Sequence, residues 1–424
     1  MPDQSFSPKN LLAMLKKADF RSVPSLTWAA YRKLCVEEAI QSSTSRFNGV
    51  NPITRFHLKK KSAYRINNIG NMLVIRKLNY NLINIFNIKY ACRSTIISNL
   101  IHFIKEGIPY RIYRLDVSQF YESFDHLDIK NRISSCKKIN PITKNLTFAF
   151  LDYSLGAGSA GLPRGISLSS TISEMMMEDF DKEIRSCKSI YFYSRYVDDI
   201  VIITNASEER EDFINFVQNI LPHGLRLNPK KQQVCEALQV APQKTSKRPL
   251  IKRIICTFDY LGYQFTISDP ARADIDTEDK YRNVVVDISN NKINKIKTRI
   301  ARSVRDYLVN PKRDEKLLID RIKYLTSNFY IFNKNSGMRN LAGIYYGFPA
   351  LSKNASGLLI LDAFLRNLIL SRSIRIYIGS LRIIDSNLKR KLLSHKFCLG
   401  FEMRRFIYFA PKRMQEIQEC WKYE

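Results

Sequence analysis

The chain has 424 residues, of which 45% are hydrophobic and 11% aromatic, enough to bury a real core and to form two or three lobes rather than one small module. Its 68 Lys and Arg residues outnumber its 39 Asp and Glu residues. The resulting formal net charge of +29 is spread along the whole length and predicts a polyanionic partner, most simply a nucleic acid.

A basic protein can also bind an anionic membrane, but the chain has no uncharged apolar run of about 18 residues. Met1 to Asn10 is polar and lacks the apolar region of a signal peptide. We therefore expect a cytoplasmic protein with no membrane partner. The cysteines form no CxxC pair and have no histidine at metal-ligand spacing, which argues against a zinc site and against a Ser/His/Asp hydrolase.

Hydrophobic periodicity divides the chain into four parts. Residues 1–54 predict a helical N-terminal extension, and residues 55–110 alternate basic and apolar side chains as in a basic, partly β lobe. Residues 111–270 interleave strand patterns such as RIYRLDV and IVIIT with helical ones, which is typical of an α+β domain; within them the Lys- and Arg-rich stretch 241–253 predicts an exposed loop. Residues 271–424 predict a separate helical and basic lobe.

The sharpest chemical signal is the acidic pair Asp198 and Asp199, which follows Tyr196 and Val197. Two β-prone runs flank these four residues and predict a hairpin whose tight turn presents adjacent carboxylates. A lone acidic pair at a turn is usually just solvated, but the strongly apolar flanks put this pair at the edge of a buried sheet. We therefore expect at least one of the two carboxylates to point at a metal ion.

A second strand pattern ends in Asp116, with Phe120 and Tyr121 just beyond it. Phosphoryl transfer needs hard oxygen ligands that hold Mg²⁺ ions. Asp116 can join Asp198 across neighbouring strands, and the backbone carbonyl of Val117 can add a further oxygen. Three crowded carboxylates repel one another without cations, so their convergence would itself imply bound metal.

The third element is a Gly/Pro turn, Gly161 to Gly165, which precedes a helical pattern from about Ser167 to Ile184. Such a turn at a helix N-terminus allows the backbone to approach a nucleotide or a template base closely. Alone it is a weak loop signal, but it gains weight from its order with the other two elements.

In this order the three elements resemble the palm motifs of reverse transcriptases. LDVSQFY (Leu115 to Tyr121) matches motif A, GLPRGISLSSTISE (Gly161 to Glu174) matches motif B and YVDD (Tyr196 to Asp199) matches motif C. GLRLNPKK resembles motif D, FDYLGYQF resembles the primer-grip motif E, and VIRKLN and CRSTI resemble fingers motifs upstream. The resemblance covers roughly residues 55–270.

The resemblance implies a right-hand polymerase of the α+β class, with fingers over 55–110, an antiparallel-sheet palm over 111–270 and a helical thumb and C-terminal lobe over 271–424. It also implies an RNA-directed DNA polymerase that uses two Mg²⁺ ions, with Mn²⁺ as an alternative, to transfer dNMP onto a 3′-hydroxyl or a protein primer. Its partners would be an RNA template, the DNA product and dNTPs.

Carried over residue by residue, the resemblance assigns catalytic and metal-binding roles. Asp116, Asp198 and Asp199 would form the acidic cluster, with the Val117 carbonyl as a further metal ligand. Lys231 matches the motif D lysine, a candidate acid for the pyrophosphate leaving group.

The same carry-over assigns contacts with the dNTP or the template. Arg76 and Arg93 match fingers residues that grip the triphosphate, although surface-exposed basic residues would give the same pattern. Tyr121 resembles the steric gate that disfavours a 2′-hydroxyl. Arg164 stands beside the motif B glycine, Gly165, where the family often has Gln, so contacts with template or sugar are expected to differ there. Tyr196 belongs to the same nucleotide-binding set.

Three details resemble bacterial defence-associated, abortive-infection-like reverse transcriptases of the "unknown group". These are the Ser173-Glu174 end of motif B, the MxxxDFDKEI pattern after it and the YSRYVDDI context. The resemblance implies antiphage function on a noncoding RNA template and, in the type-3 defence-associated branch, an oligomer with a second reverse transcriptase or another defence subunit. The chain lacks the retron VTG tripeptide, endonuclease or maturase features past residue 290, and ribonuclease H spacing.

Other functions stay open. Tyr121 disfavours an RNA-dependent RNA polymerase, and the three intact carboxylates disfavour an idle nucleic-acid-binding subunit that needs a partner. Template-independent DNA synthesis by the same palm is a further alternative. Arg390 and His395 have the R-x4-H spacing of a HEPN ribonuclease, but Lys391 replaces the polar residue usual after that arginine.

Overall fold

A computed structural model describes residues 3–20, 23–58, 61–238, 254–268, 282–310, 312, 314–332, 339–370 and 384–422. The predicted loop at 241–253 lies outside these residues. The chain divides into two compact units, one made of Met1–Cys92 and Pro109–Leu238 and the other of Arg93–Ile108 and Gln239–Glu424. The four-part division drawn from the sequence stays a prediction.

Helices and strands alternate irregularly along the described residues. The helices are α1 Pro8–Leu12, α2 Trp28–Thr44, α3 Ile69–Ile85, α4 Arg93–Lys105, α5 His126–Ser135, α6 Pro141–Gly156, α7 Ser167–Met176, α8 Glu178–Ser186, α9 Arg210–Asn219, α10 Asn290–Val309, α11 Glu315–Thr326, α12 Ile344–Gly347, α13 Gly357–Leu370, α14 Ser386–Leu393, α15 Phe397–Glu402 and α16 Pro411–Glu419. The strands are β1 Ile53–Leu58, β2 Lys61–Ile66, β3 Tyr110–Asp116, β4 Ile190–Tyr196, β5 Asp199–Thr204, β6 Gln233–Ala237, β7 Ile254–Tyr260, β8 Tyr263–Ser268, β9 Asn283–Ile288, β10 Asn328–Phe332 and β11 Arg339–Gly343.

The first unit is built around a four-stranded antiparallel sheet with the strand order β4-β5-β3-β6. The middle of β5, Ile200 to Ile203, is an unbroken apolar run, and all four residues are buried. Such runs are typical of interior strands, where both faces are covered. The α+β class and the antiparallel sheet expected for residues 111–270 are therefore confirmed.

Helices of the first unit form one core with this sheet. α3 begins after Asn68, whose side chain accepts a hydrogen bond from the Asn71 amide, and buries Leu73, Val74 and Leu78 in that core. A single helix was predicted over about residues 167–184. The structure has two helices there, α7 and α8, because the helix is interrupted at Met177.

The N-terminal segment is an integral part of the first unit. The Nζ of Lys77, a residue that is only 2% exposed, donates to the Asp3 carbonyl at 2.6 Å, and the Asn81 side chain donates to the Gln4 carbonyl at 3.0 Å. Leu11 is fully buried in the core. Because buried polar groups need partners, these contacts fix the segment against α3.

The second unit has its own core and more strand than the sequence predicted. It contains the antiparallel sheet β7-β8-β9 and the pair β10-β11, so the lobe predicted as helical over 271–424 also holds three strands. The β9 residues, NVVVDI, are mostly β-branched, which favours a strand over a helix. No helix among the described residues has the length and apolarity needed to cross a bilayer.

Replacing Leu11 with Ala tests whether the N-terminal segment belongs to the core. We expect the free energy of unfolding to fall by about 2–5 kcal/mol, because the substitution removes fully buried methyl groups and leaves a cavity. The melting temperature should fall by several degrees. Leu12→Ala is the matched control, since Leu12 is 44% exposed and its loss should leave the melting temperature nearly unchanged. Equal melting of the two variants would mean that the segment is not packed in this way.

Candidate active site

The acidic pair lies where the sequence predicted a hairpin. β4 pairs with β5 in a register that sets Tyr196 opposite Asp199, so Val197 and Asp198 form a two-residue loop. Val197 has φ +61°, and Asp198 does not have a positive φ. A positive φ at the first loop residue alone is the pattern of a type II′ turn, which prefers glycine there. A β-branched residue in this conformation is strained by about 1–3 kcal/mol.

The fold brings Asp116 to this turn. Asp116 ends β3 and lies directly opposite Asp199 in the β3–β5 register. The amide of Val117 donates to the Asp198 carbonyl oxygen at 3.1 Å, which fixes the turn against the end of β3. Asp116 is only 3% exposed. The three predicted carboxylate residues therefore lie at one edge of the sheet.

Lys231 lies in the segment just before β6 and contacts the Asp116 carboxylate. Its Nζ lies 2.8 and 3.0 Å from the two carboxylate oxygens of Asp116. Asn228 ties that segment to β3, because its amide donates to the Asp116 carbonyl at 2.7 Å and its side chain donates to the Asp116 carboxylate at 3.2 Å. The motif D resemblance predicted Lys231, but it did not predict the contact of Asn228.

Asp199 forms an ion pair with a different basic side chain from the one that contacts Asp116. Nη2 of Arg114 lies 3.1 Å from Oδ1 of Asp199, and Nη1 donates to the Lys231 carbonyl at 3.2 Å. Arg114 was not predicted from the sequence, although the period of two in a strand puts it on the same face as Asp116. Arg114 pairs with Val201, so Asp199 is its diagonal neighbour, a distance that a long side chain can bridge.

Burial makes the ionised carboxylates unfavourable. Desolvation raises the pKa of Asp198 above 3.8, the negative charge of Asp116 raises it further, and Lys231 and Arg164 oppose the rise. Desolvation likewise raises the pKa of Asp199; Arg114 opposes this rise, and Asp198 and Asp116 add to it. The cluster therefore holds negative charge that a cation would stabilise.

The donor set fits a hard divalent cation. Within the described ranges, no three acidic, His or Cys side chains converge as a metal site, and Lys231 and Arg114 contact two of the carboxylates instead. Carboxylate and backbone carbonyl oxygens are nevertheless the ligands that Mg²⁺ prefers, and Asp116, Val117 and Asp198 offer such oxygens at the end of β3 and in the adjoining turn.

Tyr121 is held in place on one side of this cluster. Its hydroxyl lies 3.1 Å from Oγ of Ser170, and the Arg164 guanidinium lies 5.4 Å from the ring centroid. Arg164 also forms a two-point ion pair with Glu122, in which Nη2 lies 2.9 Å from Oε2. The predicted gate residue therefore has a fixed ring, and neither Ser170 nor Glu122 was singled out from the sequence.

Both glycines of the Gly161 to Gly165 turn are required by close backbone approach. A Cβ on Gly161 would lie 2.6 Å from the Tyr121 carbonyl oxygen. Gly165 has φ +95°, and a Cβ there would lie 2.9 Å from the Tyr64 carbonyl oxygen. The Tyr64 amide donates to the Arg164 carbonyl at 2.8 Å, so the turn is fastened both to β2 and to the Tyr121 segment.

The two predicted triphosphate-binding arginines have internal partners. Arg76 forms a two-point ion pair with Asp19 at 2.6 and 3.0 Å. Arg93 lies in the second unit, where it donates to the carbonyls of Leu261 at 2.9 Å and Gly347 at 2.7 Å. Their contact with a triphosphate stays a prediction that requires release of these partners. Tyr196 is 39% exposed at the end of β4.

Arg390 and His395, the two residues of the alternative HEPN ribonuclease site, contact other residues rather than each other in the hydrogen bonds of the described residues. Nδ1 of His395 lies 3.4 Å from the Arg405 guanidinium, and the side chain of Arg390 contacts Asn387. Burial lowers the pKa of His395 to about 4, and the positive charge of Lys323 adds to this. The imidazole is then neutral near pH 7, which disfavours it as an acid.

Comparison with known proteins points to one family for the segment that holds the cluster. Residues 58–265 match the model of the reverse transcriptase (RNA-dependent DNA polymerase) family. No curated protein matches the chain. Among solved structures it is similar to telomerase from Candida albicans in complex with the TWJ fragment of telomeric RNA, with 11% identity, a TM-score of 0.29, and coverage of 82% of this chain and 53% of that chain. The chain thus spans about half of that telomerase chain, and a likeness at this score supports no functional conclusion.

Asp198→Asn tests the electrostatics of the cluster. The folded-state pKa of Asp198 is above its ordinary value of 3.8. The contribution of this carboxyl group to the free energy of unfolding is therefore fully present below pH 3.8 and is lost as the pH rises through the folded-state pKa. At pH 7.5 without divalent metal, the neutral amide should therefore raise the free energy of unfolding by about 0.5–2 kcal/mol, the usual size of a single stabilising substitution. The gain should shrink toward pH 4.

Thermal melting with a chelator measures this difference, and Asp152→Asn is the control. Asp152 pairs with Lys130 at the surface, so its neutralisation should change the free energy of unfolding by less than about 1 kcal/mol. A lower melting temperature for Asp198→Asn than for the wild type would contradict the inferred repulsion.

Proposed function

We propose that this chain, whose residues 58–265 form a reverse transcriptase domain, acts as an RNA-directed DNA polymerase in bacterial antiphage defence. The activity of such a domain is nucleotidyl transfer. One observation carries the proposal: Asp116 faces Asp199 across β3 and β5, Asp198 occupies the adjoining turn, and Lys231 contacts Asp116. These carboxylates would supply the oxygen ligands that metal-assisted nucleotidyl transfer requires.

Reverse transcriptase domains use divalent metal ions. Here Asp116, Asp198 and the Val117 carbonyl would hold two Mg²⁺ ions, with Mn²⁺ as an alternative. When bound, these ions neutralise charge on the phosphoryl oxygens and activate the attacking hydroxyl. Asp199, which is paired with Arg114, would complete the acidic cluster around the metal ions.

Lys231 has the reach and the exposure of a proton donor. Its side chain is 53% exposed, and only its ammonium group contacts Asp116. With a cation held at Asp116, the Lys231 ammonium group would be free to donate a proton to the leaving pyrophosphate. Arg76 and Arg93 are proposed to add charge to the triphosphate site after their present partners release them.

Tyr121 would select deoxynucleotides. Its ring is fixed by Ser170 and Arg164 and has little freedom to move away from a 2′-hydroxyl. Arg164, Gly165 and Tyr196 would form the neighbouring surface for the sugar and the template base.

The template and partners follow from charge and motif context. The net charge of +29 suits phosphate contacts with an RNA template and a DNA product. The Ser173-Glu174 and YSRYVDDI contexts support the defence role in the cytoplasm, with a noncoding RNA template and a second reverse transcriptase or another subunit in an oligomer. Synthesis would start from a 3′-hydroxyl or from a protein hydroxyl.

Polymerase assays of the purified protein with its bound nucleic acid test this function. With Mg²⁺ and labelled dNTPs, the wild type should synthesise DNA, and Asp198→Ala with Asp199→Ala should lose about 10³-fold or more, because metal-assisted stabilisation is worth several kcal/mol. Asp152→Asn should retain full activity. Sequencing the product identifies the template.

Three results would point elsewhere. A product of fixed composition on any template would indicate template-independent synthesis by the same palm. Incorporation of NTPs alone would indicate an RNA polymerase. Tight nucleic-acid binding without synthesis from either nucleotide set would indicate a binding subunit that needs a partner.

Tyr121→Ala tests the gate. Removing the ring should raise ribonucleotide incorporation relative to deoxynucleotide incorporation by about tenfold or more, since rejection by a side-chain contact is worth about 1–3 kcal/mol. Tyr121→Phe keeps the ring and should retain most of the discrimination. Competition of labelled rNTP and dNTP at equal concentration measures the ratio, and unchanged discrimination in Tyr121→Ala would rule out a gate at this position.

A further inference from the structure

Arg195 is a buried arginine with every donor in use. It is 7% exposed and lies in β4, two residues before Val197. Nε and Nη2 donate to the Asp181 carboxylate at 2.9 and 2.8 Å, and Nη1 and Nη2 donate to the Glu174 carboxylate at 3.1 and 2.7 Å. Nη1 also donates to the Val197 carbonyl at 3.1 Å. A guanidinium has five N–H groups, so the set is complete.

These five hydrogen bonds join three elements of the first unit. Glu174 lies in α7 and Asp181 in α8, and the carbonyl belongs to the turn between β4 and β5. Burial alone would lower the pKa of Arg195, but the hydrogen bonds of Asp181 and Glu174 outweigh it and raise the pKa well above its ordinary value. The guanidinium therefore stays charged at any working pH.

The contact with Val197 controls where Asp198 lies. The Val197 carbonyl and the Asp198 amide share one rigid peptide plane, so a hydrogen bond to that carbonyl fixes the plane that leads into Asp198. Val197 has φ +61°, which a β-branched residue leaves readily unless it is held. The Val117 amide bonds to the Asp198 carbonyl on the other side of the turn.

We propose that Arg195, anchored by Glu174 and Asp181, is a positioning residue that holds the strained Val197 turn and thereby sets the place of the Asp198 carboxylate. It does not contact substrate. The inference rests on the proposed function only for what the Asp198 carboxylate does; the restraint of the turn is independent of it.

A double-mutant cycle of Arg195→Lys and Val197→Gly separates this role from simple packing. Lysine keeps the charge, but one ammonium group cannot serve two carboxylates and the Val197 carbonyl together. Glycine adopts a positive φ without strain. If Arg195 restrains the turn, Val197→Gly should offset much of the damage from Arg195→Lys. If Arg195 only packs α7 and α8 together, the two substitutions should be independent.

The first readout is hydrogen exchange at the Val117 amide, which reports the turn without any activity. Arg195→Lys should speed this exchange about tenfold, and the double variant should return close to the Val197→Gly rate. The second readout is Mn²⁺ binding, followed by the paramagnetic resonance signal of the free ion. Arg195→Lys should weaken binding several-fold, with recovery in the double variant.

Polymerase kinetics give the third readout. Arg195→Lys should lower kcat about tenfold with little change in the KM for dNTP, and the double variant should recover most of this loss relative to Val197→Gly. If the wild type makes no polymer, the proposed function fails, while the exchange cycle still decides the role of Arg195.

Arg321→Lys is the matched control, because Arg321 is 3% exposed and bonds to Asp306 and to backbone carbonyls in the second unit. It should lower the melting temperature without changing exchange at Val117. If Arg195→Lys does not fold, Glu174→Gln, which weakens the anchor but keeps its size, enters the same cycle. Additive effects of the two substitutions, or unchanged Val117 exchange in Arg195→Lys, would overturn the proposal.

Discussion

The arrangement of the first unit depends on one electrostatic constraint, the gathering of three carboxylates at the edge of a buried sheet. Ionised carboxylates lose solvation there and repel one another, and the raised pKa values of Asp198 and Asp199 express both effects. The surrounding structure offsets this with cations on two of them, Lys231 on Asp116 and Arg114 on Asp199. A site that is unfavourable in this way is suited to bind divalent cations.

The backbone around the carboxylates is under a second constraint, close approach. Gly161 and Gly165 are needed because neighbouring carbonyl oxygens leave no room for a Cβ, whereas Val197 takes a positive φ without being a glycine. Strain of this kind persists only where the surroundings over-determine the conformation. The hydrogen bond from Arg195 to the Val197 carbonyl and the one from Val117 to the Asp198 carbonyl act on either side of that strained turn.

The local pattern of apolar and polar residues in the sequence was enough to predict much of the fold and most of the residues of the acidic cluster. The alternation of short apolar runs predicted the strands on both sides of Asp198, and their apolar character placed the turn at a buried edge. The strand β9 was missed because the helical periodicity that begins near Asn290 masked the short β-branched run before it.

Contacts between residues far apart in sequence could not be predicted in the same way. The ion pair of Arg76 with Asp19 joins residues 57 positions apart, and nothing in the local pattern of either residue indicates the other. The pairing of Glu174 with Arg195 is similar, since a helix and a strand must first pack before the two side chains meet. By contrast, the contact of Arg114 with Asp199 was within reach, because strand register makes them diagonal neighbours once the hairpin is placed.

The two cations of the cluster differ in how firmly they are held, and this difference separates the roles of the carboxylates. The Lys231 side chain is 53% exposed, so its ammonium group is solvated, although the Asp116 side chain that it contacts is only 5% exposed. The Arg114 side chain is 21% exposed and also donates to the Lys231 carbonyl, which fixes its orientation. A divalent cation at the proposed metal site would therefore compete with a solvated ammonium group at Asp116, but at Asp199 it would compete with a guanidinium whose orientation is fixed. Under the proposed function, Asp116 and Asp198 would then be the carboxylates that hold the cation, and Asp199 would stay paired with Arg114.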